Sequence, residues 1–359
     1  MNIFAETSDV TKKLLDGVME QVTITDEEAF VNDKVTKVIR TRVTAEICST
    51  LVKLHSLKIL ENKMLIQKMS RWLIDNQNSN GSWNEAHINY NQPSTVFTSV
   101  CALSLLEVSE SFPEFNINEE IFDKAAKFIL DQEIDFGAYK KSEHVHADIL
   151  NADAMAAAFL LKFGSKSSTE KYTKAGKRAV ANICLQQFSN GAYPYSGPKR
   201  AYPYKYHFFI PCIHYQAVTL YYLIKSAFYI KSDRLEQSIL SGVEWLVKNQ
   251  KEDGYFEWKN SGLNFALYLS ATYAFVLPIY QNLLSNNTNA TKLMKESLSV
   301  LKEQIFDNIL LRWEKGNSKS VIVGFFEAGK GGSIGEYPIL FKLMRTLHRL
   351  HREISRTKV

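Results

Sequence analysis

Two stretches of the sequence combine histidine, carboxylate and tyrosine side chains at close spacing, and these residue types can carry out acid/base chemistry. The first, EHVHADILNAD, contains the candidate catalytic residues His144, His146, Asp148 and Asp153. The second, YPYKYHFF, contains the candidates Tyr206 and His207. An imidazole beside a carboxylate can take up and return a proton near neutral pH, and a tyrosine hydroxyl can donate one. We therefore expect general acid and base groups in these two segments.

Other polar and aromatic residues close to the same segments or in the next repeat are expected to bind a substrate. They are Asn151, Lys199, Arg200, Tyr202, Tyr204, His214, Trp258, Asn264 and Tyr268. Aromatic side chains with hydroxyl groups suit stacking against sugar rings. The cations Lys199 and Arg200 can neutralise a carboxylate or a phosphate on the substrate.

The same residues have plainer interpretations that the sequence leaves open. Asp148 or Asn151 can cap the helix that follows them, and His144 and His146 can lie solvated on a loop. A metal site made of His144, His146 and Asp148 has suitable ligand types, but the pattern HxHxD alone is weak. We therefore expect no metal site and no cofactor.

The composition is that of an ordinary globular protein. The chain has 359 residues, 45% hydrophobic residues and a formal net charge of +5. This charge is too small and too dispersed to indicate nucleic-acid binding. The sequence shows no apolar run long enough to span a membrane and no recognisable export signal, so we expect a cytoplasmic protein. Its oligomeric state stays open.

An internal repeat defines the elements that must position these residues. Four segments are built alike: WLIDNQNSNGSW, FILDQEIDFGAY, ICLQQFSNGAYPY and WLVKNQKEDGYFEW. They are centred on Gln77, Gln132, Gln187 and Gln250, and a weaker fifth copy follows at Gln304. The period of roughly 55 residues holds two helices of ordinary length and two loops. Each copy therefore predicts a pair of helices.

The two helices of each pair differ in their hydrophobic pattern. Each repeat segment ends an amphipathic helix, and a second stretch that is apolar on nearly every side follows after a polar turn. These apolar stretches begin near residues 44, 94, 149, 208, 262 and 335. Six outer helices around six inner helices make an all-α fold, the (α/α)6 toroid. We see no linker that divides the chain, so we expect a single domain over residues 1–359.

The first copy, with Trp72, Gln77, Gly81 and Trp83 followed by QPSTVFTSVCALSLL, resembles the QW repeat of terpenoid cyclases and of the β subunit of protein prenyltransferases. This resemblance implies a toroid whose inner-helix N-termini surround a central active site. It also implies structural roles for the repeated residues, in which the aromatic residue packs at a helix junction and the glutamine satisfies backbone groups at helix ends.

The stretch over residues 125–225 is similar in layout to uronate-processing toroids such as polysaccharide lyases and glucuronyl epimerases, and to toroids encoded among bacterial surface-polysaccharide genes. The similar segments are HADILNADAMAAAFLL, the turn QFSNGAYPY and the head YKYHFFIPCIHYQ. This resemblance implies a polar and acidic sugar as the substrate.

Three functional hypotheses follow. The favoured one is a carbohydrate-active enzyme of the lyase, epimerase or hydrolase type, with a wet and polar cavity. The second is a divergent isoprenoid enzyme with a dry aromatic pocket, in which the DxDD motif of terpenoid cyclases is reduced to LNAD with only Asp153 matching. The third is a toroid that binds a ligand without catalysis.

Overall fold

The computed structural model describes residues 19–32, 38–56, 58, 60–87, 90–143, 145–197, 211–257, 269–283 and 288–303. Within these ranges the chain forms ten α-helices, which are α1 (Thr41–Ser56), α2 (Lys63–Asp75), α3 (Thr95–Ser111), α4 (Glu119–Asp131), α5 (Leu150–Lys166), α6 (Glu170–Gln186), α7 (Ile213–Ala227), α8 (Asp233–Lys248), α9 (Leu269–Leu283) and α10 (Thr288–Glu303). The strands are β1 (Val22–Ile24), β2 (Ala29–Val31), β3 (Asn84–His87), β4 (Tyr90–Pro93), β5 (Glu133–Asp135), β6 (Ala138–Ser142) and β7 (Val145–Asp148). None of the helices in this part of the chain combines the length and apolar character needed to span a bilayer.

The odd-numbered helices form an inner layer, and the even-numbered helices form an outer layer around it. Each odd-numbered helix packs against the next odd-numbered helix and against the even-numbered helix that follows it. The structure confirms the predicted all-α fold, an α/α toroid. The stretch 335–350, predicted to form the last inner helix, and Gln304 lie outside the described residues.

The burial of the two layers follows from their sequence patterns. In the inner helix α3, every residue from Thr95 to Leu106 is buried. The outer helix α4 buries one face, made of Phe122, Ala125, Ala126, Phe128 and Ile129. Asn118 caps α4 by accepting a hydrogen bond from the Glu120 N–H at 2.9 Å. The amphipathic helix therefore begins where the sequence supplies a cap and lies where its opposite face meets water.

Three of the repeated glutamines stabilise the turns between an outer helix and the next inner helix. Gln77 Nε2 donates to the carbonyl oxygen of Gly81 at 3.0 Å and to that of Ile121 on the next outer helix at 2.9 Å. Gln187 and Gln250 each make the same two kinds of contact, one to the turn glycine and one to the next outer helix. These amides join each turn to the next outer helix, whereas the role predicted for them was to satisfy backbone groups at helix ends.

The aromatic residue and the glycine of the first turn are held equally closely. Trp83 is fully buried, and its indole Nε1 donates to the carbonyl oxygen of Leu73 at 2.7 Å. Gly81 has a φ of 86°, and a Cβ atom at this position would lie 2.3 Å from the carbonyl oxygen of Lys124. Only glycine allows both the backbone conformation and this close approach to the neighbouring outer helix.

The second repeat differs from its assignment by one residue. Glu133, not Gln132, stands four residues before the turn glycine, and its Oε1 accepts a hydrogen bond from the Gly137 N–H at 2.8 Å. Arg178 of the next outer helix forms a bidentate pair with Glu133, with distances of 3.0 and 2.6 Å. Gln132 instead donates to the carbonyl oxygen of Phe128 in its own helix. The sequence analysis followed the glutamine and therefore centred this repeat on Gln132, one residue too early.

Short strands, which the sequence analysis did not predict, precede three of the inner helices. β1 and β2 form an antiparallel hairpin before α1. β3 and β4 form an antiparallel hairpin before α3, and β5, β6 and β7 form a three-stranded antiparallel sheet before α5. Single bridges join Ser94 to Ser142 and Ile149 to Ser196. The segments that lead into neighbouring inner helices are therefore tied to one another.

Candidate active site

A layer of charged side chains shows which face of each inner helix points towards the toroid axis. We call the end of the toroid at which the inner helices begin (their N-termini) the head, and the end at which they finish (their C-termini) the tail. Lys53, Glu107, Lys162 and Lys225 are each the thirteenth residue of their inner helix. Lys225 Nζ of α7 lies 3.3 Å from Glu107 Oε1 of α3, although α5 stands between these two helices in the chain. Residues at this helix position therefore converge on the axis.

The charges of this tail layer act on one another strongly. Burial raises the pKa of Glu107, but Lys225 and Lys53, together with a hydrogen bond to Ser49, lower it to about 2. Desolvation works against the charge of Lys225, yet neighbouring groups, Tyr221 and Glu107 foremost, raise its pKa above the usual value. Glu107 and Lys225 therefore both stay charged, and their ion pair joins α3 to α7 near the tail.

The second residue of each inner helix lies on the same face as the thirteenth. Eleven residues of α-helix rotate through three turns and about 20° more. The second residues are Arg42, Val96, Asn151 and His214. Asn151 and His214, both predicted to bind substrate, therefore face the axis at the head. Arg42 joins them and was not predicted.

These axis-facing side chains are buried, and two of them already contact neighbouring polar side chains. Arg42 Nε donates to Glu46 Oε1 at 2.8 Å, one turn along α1. His214 Nδ1 lies 3.0 Å from Thr272 Oγ1 of α9, and its ring meets the Tyr215 ring edge-on at 5.1 Å. The Oδ1 atom of Asn151 is buried and accepts no hydrogen bond within the described part of the chain. Asn151 thus offers a buried acceptor on the face of α5 that points towards the axis, as His214 does on α7.

A second group at the head comes from the strands and from the segment after α6. Lys141 Nζ of β6 donates to Glu85 Oε1 of β3 at 3.2 Å, and both side chains are largely buried. The rings of Tyr195 and Tyr215 lie 4.6 Å apart. Burial raises the pKa of Tyr195, and Lys141 and Glu85 are close enough to act on the same hydroxyl. We call Glu85, Lys141, Tyr195 and Tyr215 the head cluster.

Neither charged member of the head cluster was predicted. The signal was present in the segment NEAHINYNQPS at residues 84–94. This segment occupies the same place before α3 as EHVHAD does before α5, and it has a similar mixture of carboxylate, histidine and polar residues. Comparison of the segments before successive inner helices would have identified Glu85.

The predicted catalytic residues Asp148 and Asp153 lie between the two helix layers. Asn182 Nδ2 of the outer helix α6 lies 3.2 Å from Asp148 Oδ1 and 3.1 Å from Asp153 Oδ2. Asp153 Oδ1 also accepts a hydrogen bond from the Tyr139 N–H at 2.8 Å, and Gln186 donates to Asp148. Residue 153 is about 200° around the helix from residue 151, which places it on the side away from the axis.

The two carboxyl groups behave as one buried acid. Complete burial raises the pKa of Asp153 well above its usual value, and the charge and hydrogen bond of Asp148 raise it further. A proton shared between Asp148 and Asp153 relieves the repulsion of two adjacent buried charges. This pair joins β7 and the first turns of α5 to the outer helix α6.

Residues His144, Lys199, Arg200, Tyr202, Tyr204, Tyr206, His207, Trp258, Asn264 and Tyr268 lie outside the described residues. His146 belongs to β7, but its side chain also lies outside them. Among the residues that the structure describes, no three or more histidine, cysteine or acidic side chains are arranged to hold a metal ion.

The structure resembles solved enzymes that act on carbohydrates. Unsaturated glucuronyl hydrolase from Bacillus sp. GL1, which is responsible for the degradation of glycosaminoglycan, has a TM-score of 0.56 at 12% identity over 92% of this chain and 94% of its own. A reducing-end-xylose releasing exo-oligoxylanase has a TM-score of 0.56 at 12% identity over 93% and 97%. A novel alpha-amylase from Clostridium perfringens has a TM-score of 0.61 at 12% identity over 90% and 96%.

These similarities are structural only. No family profile matches the sequence, and no curated protein is significantly similar to it. At 12% identity the neighbours show the α/α-toroid fold and do not transfer an activity. The terpenoid cyclase resemblance of the first repeat is not shown by these comparisons.

Proposed function

We propose that this protein is a carbohydrate-active enzyme that acts on an acidic glycan by acid/base chemistry at the head of the toroid. The observation that carries the proposal is the head cluster, in which the buried carboxylate Glu85 pairs with Lys141 beside two packed tyrosines. The structural neighbours are carbohydrate-acting enzymes, and one of them is a glucuronyl hydrolase of glycosaminoglycan degradation, which supports a glycan as the substrate.

Each member of the head has a chemical role in this proposal. Glu85 acts as a general acid or base on the glycan, and Lys141 keeps this group oriented and attracts the acidic substrate. Tyr195 and Tyr215 pack against a sugar ring. Asn151 and His214 hydrogen bond to sugar hydroxyl groups from the axis side.

The reaction needs a second acid or base, and the predicted histidines supply it in this proposal. His146 is a residue of β7, in the sheet that carries Lys141, and His144 precedes this strand in the sequence. Tyr206 and His207 belong to a segment whose flanking residues, Ser196 and Pro211, are both bridged at the head. A carboxylate with an imidazole or phenol serves hydrolysis, β-elimination and epimerisation alike, so the type of reaction stays open.

The Asp148–Asp153 pair has a different part in the proposed enzyme. Its hydrogen bonds to Asn182 and to the Tyr139 N–H hold β6 and the first turn of α5 against α6. We assign it the role of positioning Lys141 and Asn151, although the sequence indicated proton transfer to the substrate. An isoprenoid substrate is less well matched by this head, because Arg42, Glu46, Glu85 and Lys141 make it charged and not a dry aromatic pocket.

The experiment is a turnover assay with three substrate panels: oligouronates with glycosaminoglycan oligosaccharides, neutral oligosaccharides, and prenyl diphosphates. Products are detected by mass spectrometry and by the absorbance of unsaturated uronates. The proposal predicts turnover of an acidic glycan that is lost in Glu85→Gln but retained in a variant of an exposed acid on α8, Glu244→Gln. Turnover of prenyl diphosphates alone, or of no panel, would overturn it.

A further inference from the structure

A cavity lies on the outer wall of the toroid, away from the head cluster. It has a volume of about 360 Å³ and lies between the outer helices α6 and α8, below the loop that joins α7 to α8. It is lined by Lys177, Val180, Ala181, Cys184, Tyr229, Ile230, Lys231, Ser232, Arg234 and Leu235. A volume of this size lies in the range of small-molecule sites and accommodates one or two sugar rings.

The wall of this cavity is strongly basic. Lys177, Lys231 and Arg234 are among its lining residues, and no carboxylate is. None of these three cations forms an ion pair with another residue in the described ranges. The acids of the first turn of α8, Asp233 and Glu236, do not line the cavity. The wall therefore presents three positive charges that call for an anionic ligand.

An aromatic edge borders the same cavity. Tyr229 lines it and is 36% exposed, and the preceding residue, Phe228, is 77% exposed. The Tyr229 ring therefore offers an apolar face that a ligand in the cavity can contact. Aromatic faces bind sugar rings, whereas a free inorganic anion gains nothing from them.

We propose that this cavity, which we call the wall site, is a non-catalytic binding site for an acidic glycan. The cations bind carboxylate or sulfate groups, and Tyr229 packs against a sugar ring. The inference rests on the proposed function for its choice of glycan, but the wall site is separate from the head cluster. It anchors a polymer chain on the enzyme and raises the local concentration of the chain at the head.

Cys184 provides a direct readout of occupancy. It lines the wall site and is partly exposed, whereas Cys48, Cys101 and Cys212 are buried. Burial raises the pKa of Cys184, so labelling with a maleimide is followed at mildly alkaline pH. The probes are tetragalacturonate, the neutral maltotetraose, and inorganic phosphate. We expect tetragalacturonate to slow labelling about tenfold at saturation, and the other two to slow it much less.

Variants separate the glycan from a simple anion. Lys177→Gln combined with Lys231→Gln, and separately Tyr229→Ala, should each weaken protection by tetragalacturonate about tenfold, as the loss of charged or stacking contacts does. Lys174→Gln, on the same helix but outside the lining, should leave protection unchanged. The Tyr229→Ala variant keeps all three cations and so isolates the contribution of the ring.

Each result has one meaning. Equal protection by maltotetraose, no protection by any probe, or protection by phosphate that Tyr229→Ala leaves intact would overturn the wall site as a glycan site. Labelling does not depend on turnover. Protection by tetragalacturonate in a protein that turns over no glycan would support the wall site and count against the proposed function. Turnover of an acidic glycan without protection of Cys184 would support the proposed function and overturn the wall site.

Discussion

Lys141 and Glu85 come from strands that belong to different repeats, 56 positions apart in the chain, and their largely buried side chains meet at 3.2 Å. A charge pair in such a place costs desolvation free energy and is retained only where its geometry is good. Removing one partner leaves the other charge buried and uncompensated. The pair therefore couples the hairpin before α3 to the sheet before α5.

Replacement of Lys141 by methionine should destabilise the fold for this reason. We expect Lys141→Met to lower the free energy of unfolding by about 2–4 kcal/mol, and the added substitution Glu85→Gln to recover much of the loss. Urea unfolding followed by circular dichroism measures both effects. Lys140→Met, at the adjacent position, is the control, and an equal cost for the two lysine variants would contradict the importance of the pair.

The shared proton of Asp148 and Asp153 predicts a pH dependence of stability. The folded-state pKa of Asp153 is raised above its unfolded value, so the native state retains a proton that the unfolded state releases as the pH rises. The stability from this group is fully present below the unfolded pKa and is lost as the pH rises through the folded pKa. The loss approaches about 1.4 kcal/mol per pH unit within that window.

The variant Asp153→Asn removes this dependence. It keeps an acceptor for the Tyr139 N–H but cannot ionise, so its stability relative to the parent protein should improve steadily from pH 4 to pH 8. Urea unfolding at several pH values gives the difference. Asp131→Asn, at an exposed position at the end of α4, should show no such trend, and an Asp153→Asn difference that is constant with pH would rule out the shared proton.

The register of the second repeat is testable by paired alanine variants. Glu133 bonds to the turn and to Arg178, whereas Gln132 bonds only within its own helix. We expect Glu133→Ala to cost about 1–3 kcal/mol and Gln132→Ala less than about 1 kcal/mol. Glu133→Gln, which copies the other repeats, should recover part of the loss in thermal unfolding. A larger cost for Gln132→Ala than for Glu133→Ala would show that the second repeat is centred on Gln132, as the sequence predicted.

The layers of the fold were predictable from sequence because amphipathic and fully apolar stretches alternate at a constant period. The turn glutamines were predictable for the same reason, since Gln77, Gln187 and Gln250 recur with a glycine four residues later. The second repeat was not predictable in this way, because Glu133 stands where the other repeats have glutamine. Its carboxylate accepts a hydrogen bond from the turn glycine and pairs with Arg178 of the next outer helix.

The site was harder to predict because it depends on which side of each helix faces the axis. Asn151 and Asp153 are two residues apart and both polar, but Asn151 points towards the axis and Asp153 points towards the outer helices. The charges at Lys53, Glu107 and Lys225 fix this orientation, and they lie eleven residues beyond the head, at the far end of the helices. The pairing of Glu85 with Lys141 depends on contacts between repeats, which spacing along one repeat does not reveal.

The most direct measurement of the proposed function is kcat/KM on the acidic glycan that the parent protein turns over best, compared among the parent, Glu85→Gln and Glu244→Gln, each checked for folding by circular dichroism. We predict that Glu85→Gln lowers kcat/KM by about 10²- to 10⁴-fold, as loss of a general acid or base does, while Glu244→Gln leaves it unchanged. A folded Glu85→Gln protein with parental kcat/KM would contradict the assignment of the head cluster as the active site.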